Sequence, residues 1–395
     1  MTQAATIAKP KKQLLEPICT RCIYDSSVSG ISFDDEGVCN YCRHIESLLA
    51  SYQTGKPQGE EALNKIIEEM KREGRRKKYD CVIGVSGGTD SSFLLLKAKE
   101  WGLRALAVHY DNTWNSAIAT ENIRKVTSRT KTDLFTYVIN NEEADDIFKA
   151  FFLAGVPEFD ASTDMAFAQV LRMAAAKHGV RYILEGHSFQ AEGVSPIGKN
   201  YFDGKYIESV CKQFGSRKLK TYPLMSFAQF MKWTLIYRQK FIRPLWYLNY
   251  SKEEARKRLT SETGWQYYGG HHLENLSASF LHSIYNPRKF NIDNRNWALA
   301  AEVRAGVKSR EDAISEYLHE GPVDPNLEGY VQKRLGLTRE EFERIMTQKP
   351  RSFRDFKTYK RRFELLRPLF RKLADHNLVP KSFYAKYCFP ISESK

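Results

Sequence analysis

The run Ser86-Gly87-Gly88-Thr89-Asp90-Ser91-Ser92 sets small residues, hydroxyls and one acid between two apolar stretches. Cys81 to Val85 is short and mostly β-branched, which predicts a strand covered on both faces, and residues 92–101 have the length and Leu/Ala/Lys content of a helix. A turn without bulk lets its backbone N–H groups close on a ligand at the positive end of that helix, which is anion chemistry and most readily phosphate chemistry. The familiar phosphate loop ends in Gly-Lys-Ser/Thr, whereas this one reads Gly-Thr-Asp, and an acid beside phosphates calls for a metal ion between them. An ordinary glycine turn in an α/β sheet is the plainer reading of the same residues.

Four of the seven cysteines form two short pairs, Cys19/Cys22 in "ICTRC" and Cys39/Cys42 in "VCNYC", with sixteen residues between them. That is the spacing of a four-thiolate zinc knuckle, in which each pair bites the metal from a turn and the intervening chain returns as a hairpin. Four protein thiolates leave no open position for substrate, so the role expected is structural. Cys81, Cys211 and Cys388 are isolated and read as packing residues.

The elements that must position this chemistry alternate. "LRALAVHYD" (103–111), "DLFTYVIN" (133–140) and "RYILEGH" (181–187) read as strands, and residues 115–130, 142–155 and 162–179 read as helices. The pattern predicts an α/β fold with a doubly wound parallel sheet, whose ligands lie beyond the carboxyl ends of the strands. Three polar clusters fall there together: SGGTDSS, "HYDNTWNS" and "EGHSFQAEG".

Length and charge bound the rest. A chain of 395 residues buries a large core, and its net charge of +14 with a pI near 9.3 favours anionic ligands. The basic runs at 71–78 and near 354–372 read first as solvated faces. No run approaches a membrane span and the first residues lack an apolar signal region, so the location expected is cytoplasmic.

Ser86 to Ser91 matches the SGGxDS pyrophosphate loop, and the chain here resembles the ATP pyrophosphatase, or adenine nucleotide alpha hydrolase, superfamily. Those enzymes cleave ATP between the α and β phosphates, place AMP on a carbonyl oxygen and let a nitrogen or sulfur nucleophile displace it. The resemblance implies that Ser86, Gly87, Gly88, Thr89, Asp90, Ser91 and Ser92 cradle pyrophosphate and that Asp90 helps hold Mg2+. It also implies that Val108, His109, Tyr110 and Asp111 contact adenine and ribose, and that Gly186-His187 begins the second signature. Glu192 is the acid matching the one that, in that signature, helps bind metal or orient pyrophosphate, with Gln190 standing where the tRNA-modifying branch often has aspartate. For His187 a hydrogen-bonded loop histidine is the alternative.

Taken together, the double Cys-x-x-Cys, SGGTDSS, "DNTWNS", "EGHSFQAEG" and "YYGGHHLEN...YNPRKFNID" resemble the N-acetyl sugar amidotransferases of acetamidino-sugar biosynthesis, over residues 16 to about 320. The resemblance implies ATP, Mg2+ and Zn2+ as cofactors and a nucleotide-linked acetamido sugar as substrate, for bacterial surface polysaccharide (O-antigen). Ammonia would come from a glutaminase subunit and a synthase-like barrel subunit, because no cysteine of the chain has the setting of a glutaminase nucleophile. Nucleic acid is not expected as a partner. By the same resemblance Asp90, His187, Glu192 and Lys289 are the catalytic candidates, with Asp293 beside Lys289.

The implied organisation is a disordered tail (1–15), a zinc-knuckle module (16–60), an α/β domain (61–270) with an insertion near 194–222, and a helical C-terminal region (271–395). The insertion is loop-like in composition; as a lid it would offer Lys199, Lys205 or Arg217 to phosphates, and as surface it would be equally basic. Residues 225–241 read as one aromatic core or interface helix. Gly269-Gly270-His271-His272 with Glu274 reads as substrate contact, since adjacent histidines do not easily share one ion. Capping signatures place helix starts at Ser251, Ser309 and Thr338, and Pro368 should break the last basic helix. The rivals are a tRNA-modifying enzyme of the same superfamily, of the lysidine or thiolation type, and a non-catalytic nucleotide-binding scaffold.

Overall fold

The computed structural model describes residues 13–194, 201–269, 274–321, 323–376 and 378–390. Lys199, Gly270, His271 and His272 lie outside the described residues.

Five parallel strands, β1 (Cys81–Gly84), β2 (Ala105–Asp111), β3 (Asp133–Val138), β4 (Tyr182–Leu184) and β5 (Lys240–Ile242), stand in the order β3-β2-β1-β4-β5. Helices α1 (Asn40–Tyr52) and α2 (Pro57–Gly74) precede the sheet. Two helices, α3 (Thr89–Glu100) and α4 (Ala117–Thr130), carry the chain outward from β1 to β3. It returns past β1 through α5 (Asn141–Ala154) and α6 (Ala161–Lys177), so the order reverses between β1 and β4, where a doubly wound sheet opens its ligand crevice.

Strand alternation divides the core. Val82, Leu106, Val108 and Ile183 pack with α5 and α6 on one face, while Ile83, Ala105, Ala107 and Leu184 pack with Leu63, Ile67, Leu94, Leu95, Ile123 and Val126 on the other. The α/β class and the first four strands are as the sequence predicts.

Two segments differ from the sequence reading. The described part of the insertion is not simply a loop: Asp203 caps a helix α8 (Gly204–Phe214), the next after α7 (Phe189–Glu192), whose Tyr206, Ile207, Val210 and Cys211 join the core. The aromatic helix ends early, as α9 (Phe227–Met231) and one π-turn, because the chain turns left-handed at Arg238 (φ 49°) to enter β5. Three residues with intermediate burial, Lys-Phe-Ile, carry no alternation long enough to announce a strand.

Beyond β5 the chain is helical: α10 (Lys252–Thr263), α11 (Leu276–Phe280), α12 (Asn286–Phe290), α13 (Arg295–Arg304), α14 (Arg310–Leu318), α15 (Leu327–Leu335), α16 (Arg339–Thr347), α17 (Lys360–Leu365), α18 (Arg367–Asp375) and α19 (Lys381–Tyr387). Ser251, Ser309 and Thr338 cap α10, α14 and α16 as expected, and α17 gives way to α18 next to Pro368.

Between α5 and α6, Glu158 is buried and accepts hydrogen bonds from the Tyr206 hydroxyl (3.1 Å) and the Tyr201 backbone N–H (3.4 Å). Burial pushes its pKa up from 4.5 to about 7, against the pull of Tyr206 and, more weakly, Lys386. A raised folded pKa stabilises the protonated form, so this contribution is complete below 4.5 and lost as pH rises through about 7. Glu158→Gln should therefore melt closer to, or above, the natural chain at about pH 8 while losing that relative advantage at about pH 5. A pH-independent difference in melting temperature would contradict the assignment.

Candidate active site

The loop after β1 is held open from outside. Gly87 is left-handed (φ 82°), and a Cβ there would fall 2.2 Å from the Ala119 carbonyl oxygen, so only glycine fits between the turn and the start of α4. Its own carbonyl accepts from Trp265 Nε1 at 2.9 Å and from Asn122 Nδ2 at 3.4 Å. Gly88 is the extended N-cap residue of α3, which places Thr89, Asp90 and Ser91 in the first helical turn rather than before it, with that turn's N–H groups outside the helical ladder. The Ser91 hydroxyl accepts from the Ser86 N–H (3.2 Å), closing the turn on itself. Ser92, also expected in the cradle, is buried in the helix.

The EGH segment comes down on this loop. A Cβ on Gly186 would lie 2.8 to 2.9 Å from the Asp90 carbonyl and the Ser91 nitrogen, so glycine is what permits the approach. Two acids then converge on one cation: Lys252 Nζ is 3.1 Å from Asp90 Oδ2 and 3.2 Å from Glu192 Oε1, and all three side chains are less than one-fifth exposed. The Tyr250 hydroxyl donates to Asp90 Oδ1. Burial, reinforced by Glu192 and opposed by Lys252, pushes the Asp90 pKa up to about 6. Burial opposes the charge on Lys252, but Asp90 and Glu192 outweigh it and hold the ammonium above its ordinary 10.5.

His187 Nδ1 accepts from Trp246 Nε1 at 3.1 Å, and Nε2 stands 3.8 Å from Glu192 Oε2. Because Nδ1 is the acceptor, the neutral ring carries its proton on Nε2. Burial, then the charge of Arg243, lowers the ring's pKa to about 4, so it faces the site as a neutral N–H donor.

At the end of β2, His109 Nδ1 bonds the Val85 carbonyl (3.1 Å) and Asp111 Oδ1 accepts from Thr113 N (2.7 Å) and Asn115 Nδ2 (3.4 Å). Asn275 Nδ2 donates to Asn112 and Asn115, and a backbone bridge joins Asn115 to Asn275. The "DNTWNS" turn is thereby tied to the start of the C-terminal helices. Glu274 reaches the same place: a Cβ on Gly88 would sit 3.3 Å from its Oε1 and 3.2 Å from the Tyr268 hydroxyl. Val108 and Tyr110 point the other way. Val108 is core, and Tyr110 hydrogen-bonds Tyr222 (3.0 Å), so only backbone atoms of these two border the crevice.

The four paired cysteines form a separate buried centre. Their Sγ atoms all lie within 4.8 Å of one another, with Cys19–Cys42 at 3.8 Å and Cys22–Cys39 at 3.9 Å. A tetrahedral ion with Zn–S near 2.3 Å needs sulfurs about 3.8 Å apart, so the set fits a single zinc. Arg304 Nε donates to Cys42 Sγ (3.3 Å) and Arg310 donates to the Cys19 and Cys22 carbonyls (3.0 to 3.1 Å). Leu299, Ala300, Ala313 and Tyr317 share the knuckle's core. The module is thus built against α13 and α14 rather than hung from the N-terminus.

Four expected residues are not brought to the loop. Lys289 donates to the Ile345 (2.6 Å) and Gln348 (2.8 Å) carbonyls, closing the end of α16. That is helix capping, and it corrects the catalytic expectation for Lys289. Asp293 pairs with Arg295 (2.7 Å). Arg217 pairs with Glu142 (2.6 Å) and Lys205 lies over the Tyr359 ring, so neither offers a lid. Conversely, sequence reasoning passed over Tyr250, Lys252 and Trp246. One signal was present: Lys252 opens a helix, where a cation opposes the helix dipole and needs a nearby acid.

The sheet order and the loop at its switch point define a doubly wound α/β fold whose ligand crevice opens beyond the ends of β1 and β4. Residues 274–370 match the family described as LPS biosynthesis protein WbpG-like, C-terminal domain. The match begins at Glu274, the residue that meets the loop. An uncharacterized protein of Methanocaldococcus jannaschii is 28% identical over 171 residues, 43% of this chain, and the match spans only 58% of that relative's length. Among solved structures, the chain is similar to the U34-tRNA thiolase NcsA from Methanococcus maripaludis (11% identity, 78% of this chain and 90% of that one, TM-score 0.33). It is also similar to the NH3-dependent NAD synthetase from Campylobacter jejuni (10% identity, 74% and 97%, TM-score 0.30). Among the described residues no helix is long and apolar enough to cross a membrane.

Proposed function

We propose that the chain is an ATP-dependent, AMP-forming amidotransferase that converts an acetamido group of a nucleotide-linked sugar to acetamidino, for bacterial surface polysaccharide. The observation that carries this reading is the placement of Asp90 and Glu192 on one cation, beside an anion-binding turn that meets the first residue of a WbpG-like domain.

An acetamido carbonyl is a poor electrophile, and its oxygen leaves only once it carries a good leaving group. Adenylation supplies that, and ammonia then displaces AMP to leave C=NH. The N–H groups of the first α3 turn hold pyrophosphate, and the Ser86 and Ser91 hydroxyls add donors. Two carboxylates that both reach within 3.2 Å of one point present the hard oxygen donors Mg2+ requires, so Asp90 and Glu192 would hold it. Bound there, the ion would neutralise charge on phosphate oxygens. Lys252, displaced from the acids, adds a mobile positive charge, and His187 donates from Nε2. The ends of β1 and β2, with His109 and Asp111, receive the nucleoside.

Ammonia comes from outside the chain. Burial raises the Cys81 thiol well above its usual range, the Cys211 thiol to about 12 and the Cys388 thiol to about 11, so none is a thiolate at neutral pH. The isolated chain should therefore use ammonium salts, more efficiently at raised pH, and not glutamine until a glutaminase partner with a synthase-like barrel subunit is added. The test is amidine formation from a panel of UDP- and CMP-linked acetamido sugars, read by mass spectrometry with AMP and pyrophosphate. Glutamine-dependent product from the chain alone would overturn the ammonia assignment. Turnover that needs tRNA and no sugar would replace the function.

A further inference from the structure

Four side-chain amides near the site have a buried carbonyl oxygen without a hydrogen-bond partner: Gln190, Asn286, Asn294 and Asn296. Asn286 is 5% and Asn296 6% exposed, so water does not reach them freely. Native interiors leave few such groups unpaired, and each one calls for a reason. These four are of one kind: each is an uncharged amide oxygen.

They also share a place. Gln190 stands in α7, two residues from Glu192. Helix α7 packs on α13, close enough that a Cβ on Gly193 would lie 3.7 Å from the Trp297 carbonyl. Asn294 is the N-cap residue of α13 and Asn296 lies in its first turn. Asn286 opens α12, and its carbonyl accepts from Ile292 N (3.1 Å), which folds the α12–α13 connection back on itself. Asn294 directs its amide nitrogen to His282 Nδ1 (2.7 Å), which turns its oxygen away from that ring.

Neutral acceptors without matching donors select a ligand rich in O–H and N–H groups. A phosphate at neutral pH offers few such donors, and a neutral amide oxygen gives it nothing to bind. Resting on the function proposed above, we propose that Gln190, Asn286, Asn294 and Asn296 form the subsite for the sugar ring, accepting from its hydroxyls and from the acetamido N–H. The wall formed by α7, α12 and the start of α13 would then hold the sugar beside the acids that serve ATP, and the α12–α13 segment, which belongs to the WbpG-like match, would set sugar specificity.

The test is calorimetric binding of a UDP-linked 2-acetamido hexose and of the UDP-hexose lacking the acetamido group, with ATP binding measured in parallel. The natural chain should prefer the acetamido sugar. Asn296→Leu should weaken it by about tenfold or more while ATP affinity stays within about twofold. Gln190→Leu, at a more accessible position, should do the same and covers the case in which Asn296→Leu fails to fold. If the natural chain binds the acetamido sugar and folded variants bind it equally well, the subsite is wrong and the proposed function stands. Variants that are merely more stable, with unchanged sugar binding, would show that the amides pair with buried water and would also overturn it. A natural chain that binds ATP but neither sugar removes the function and the subsite together.

Discussion

Asp90→Asn should lower turnover on the order of a hundredfold or more while leaving the fold intact. The substitution keeps the shape of the side chain and an oxygen for the Tyr250 hydroxyl, and removes only the charge. That charge is one of two that converge on Lys252, and without it the site has one carboxylate where the proposed mechanism needs two to fix a divalent cation against pyrophosphate. The loss should appear in the rate of AMP formation and in a weaker dependence on Mg2+, with circular dichroism and the melting profile retained. Near-natural turnover by a folded Asp90→Asn protein would remove the residue from the mechanism.

Loss of zinc should have the largest effect on stability. Structural zinc contributes about 10 kcal/mol or more to the folding of small thiolate modules, comparable with the whole net stability of a domain. Elemental analysis should find one zinc per chain, and Cys39→Ser should release it. Cys39 serves twice, as a member of the sulfur cluster and as the N-cap acceptor of α1. The damage should not stop at residue 52, because Leu299, Ala300, Ala313 and Tyr317 share the knuckle's core and Arg304 and Arg310 bond to it. Helix α13 packs in turn on α7, which carries Glu192. Chelation should therefore depress both the melting temperature and turnover, with recovery on adding zinc back. A metal-free natural preparation that melts and turns over normally would refute the knuckle.

How far the chain could be read before folding depended on the range of the interactions. The strand-turn-helix at 81–101 and the Cys-x-x-Cys pairs are local, and their spacing carries their geometry. The convergence of Asp90 with Glu192 was approachable because both lie at strand ends of one parallel sheet. Lys252 and Tyr250 were not, since they reach Asp90 across about 160 residues through a three-residue strand with no periodic signal. Lys289 shows the opposite error: a lysine in a suggestive motif turned out to close the end of a helix distant in sequence. The insertion misled through composition, because its glycines and lysines concealed the apolar face of α8 that joins the main core.

The central claim is that ATP activates the carbonyl oxygen of the acetamido group. It is tested most directly by labelling that oxygen with oxygen-18 in the nucleotide-linked sugar and following the label during turnover with ATP, Mg2+ and ammonium. Transfer of the label to the phosphate of AMP, together with an unlabelled acetamidino product, is the result predicted. Label released to water with unlabelled AMP, or formation of ADP, would contradict the account.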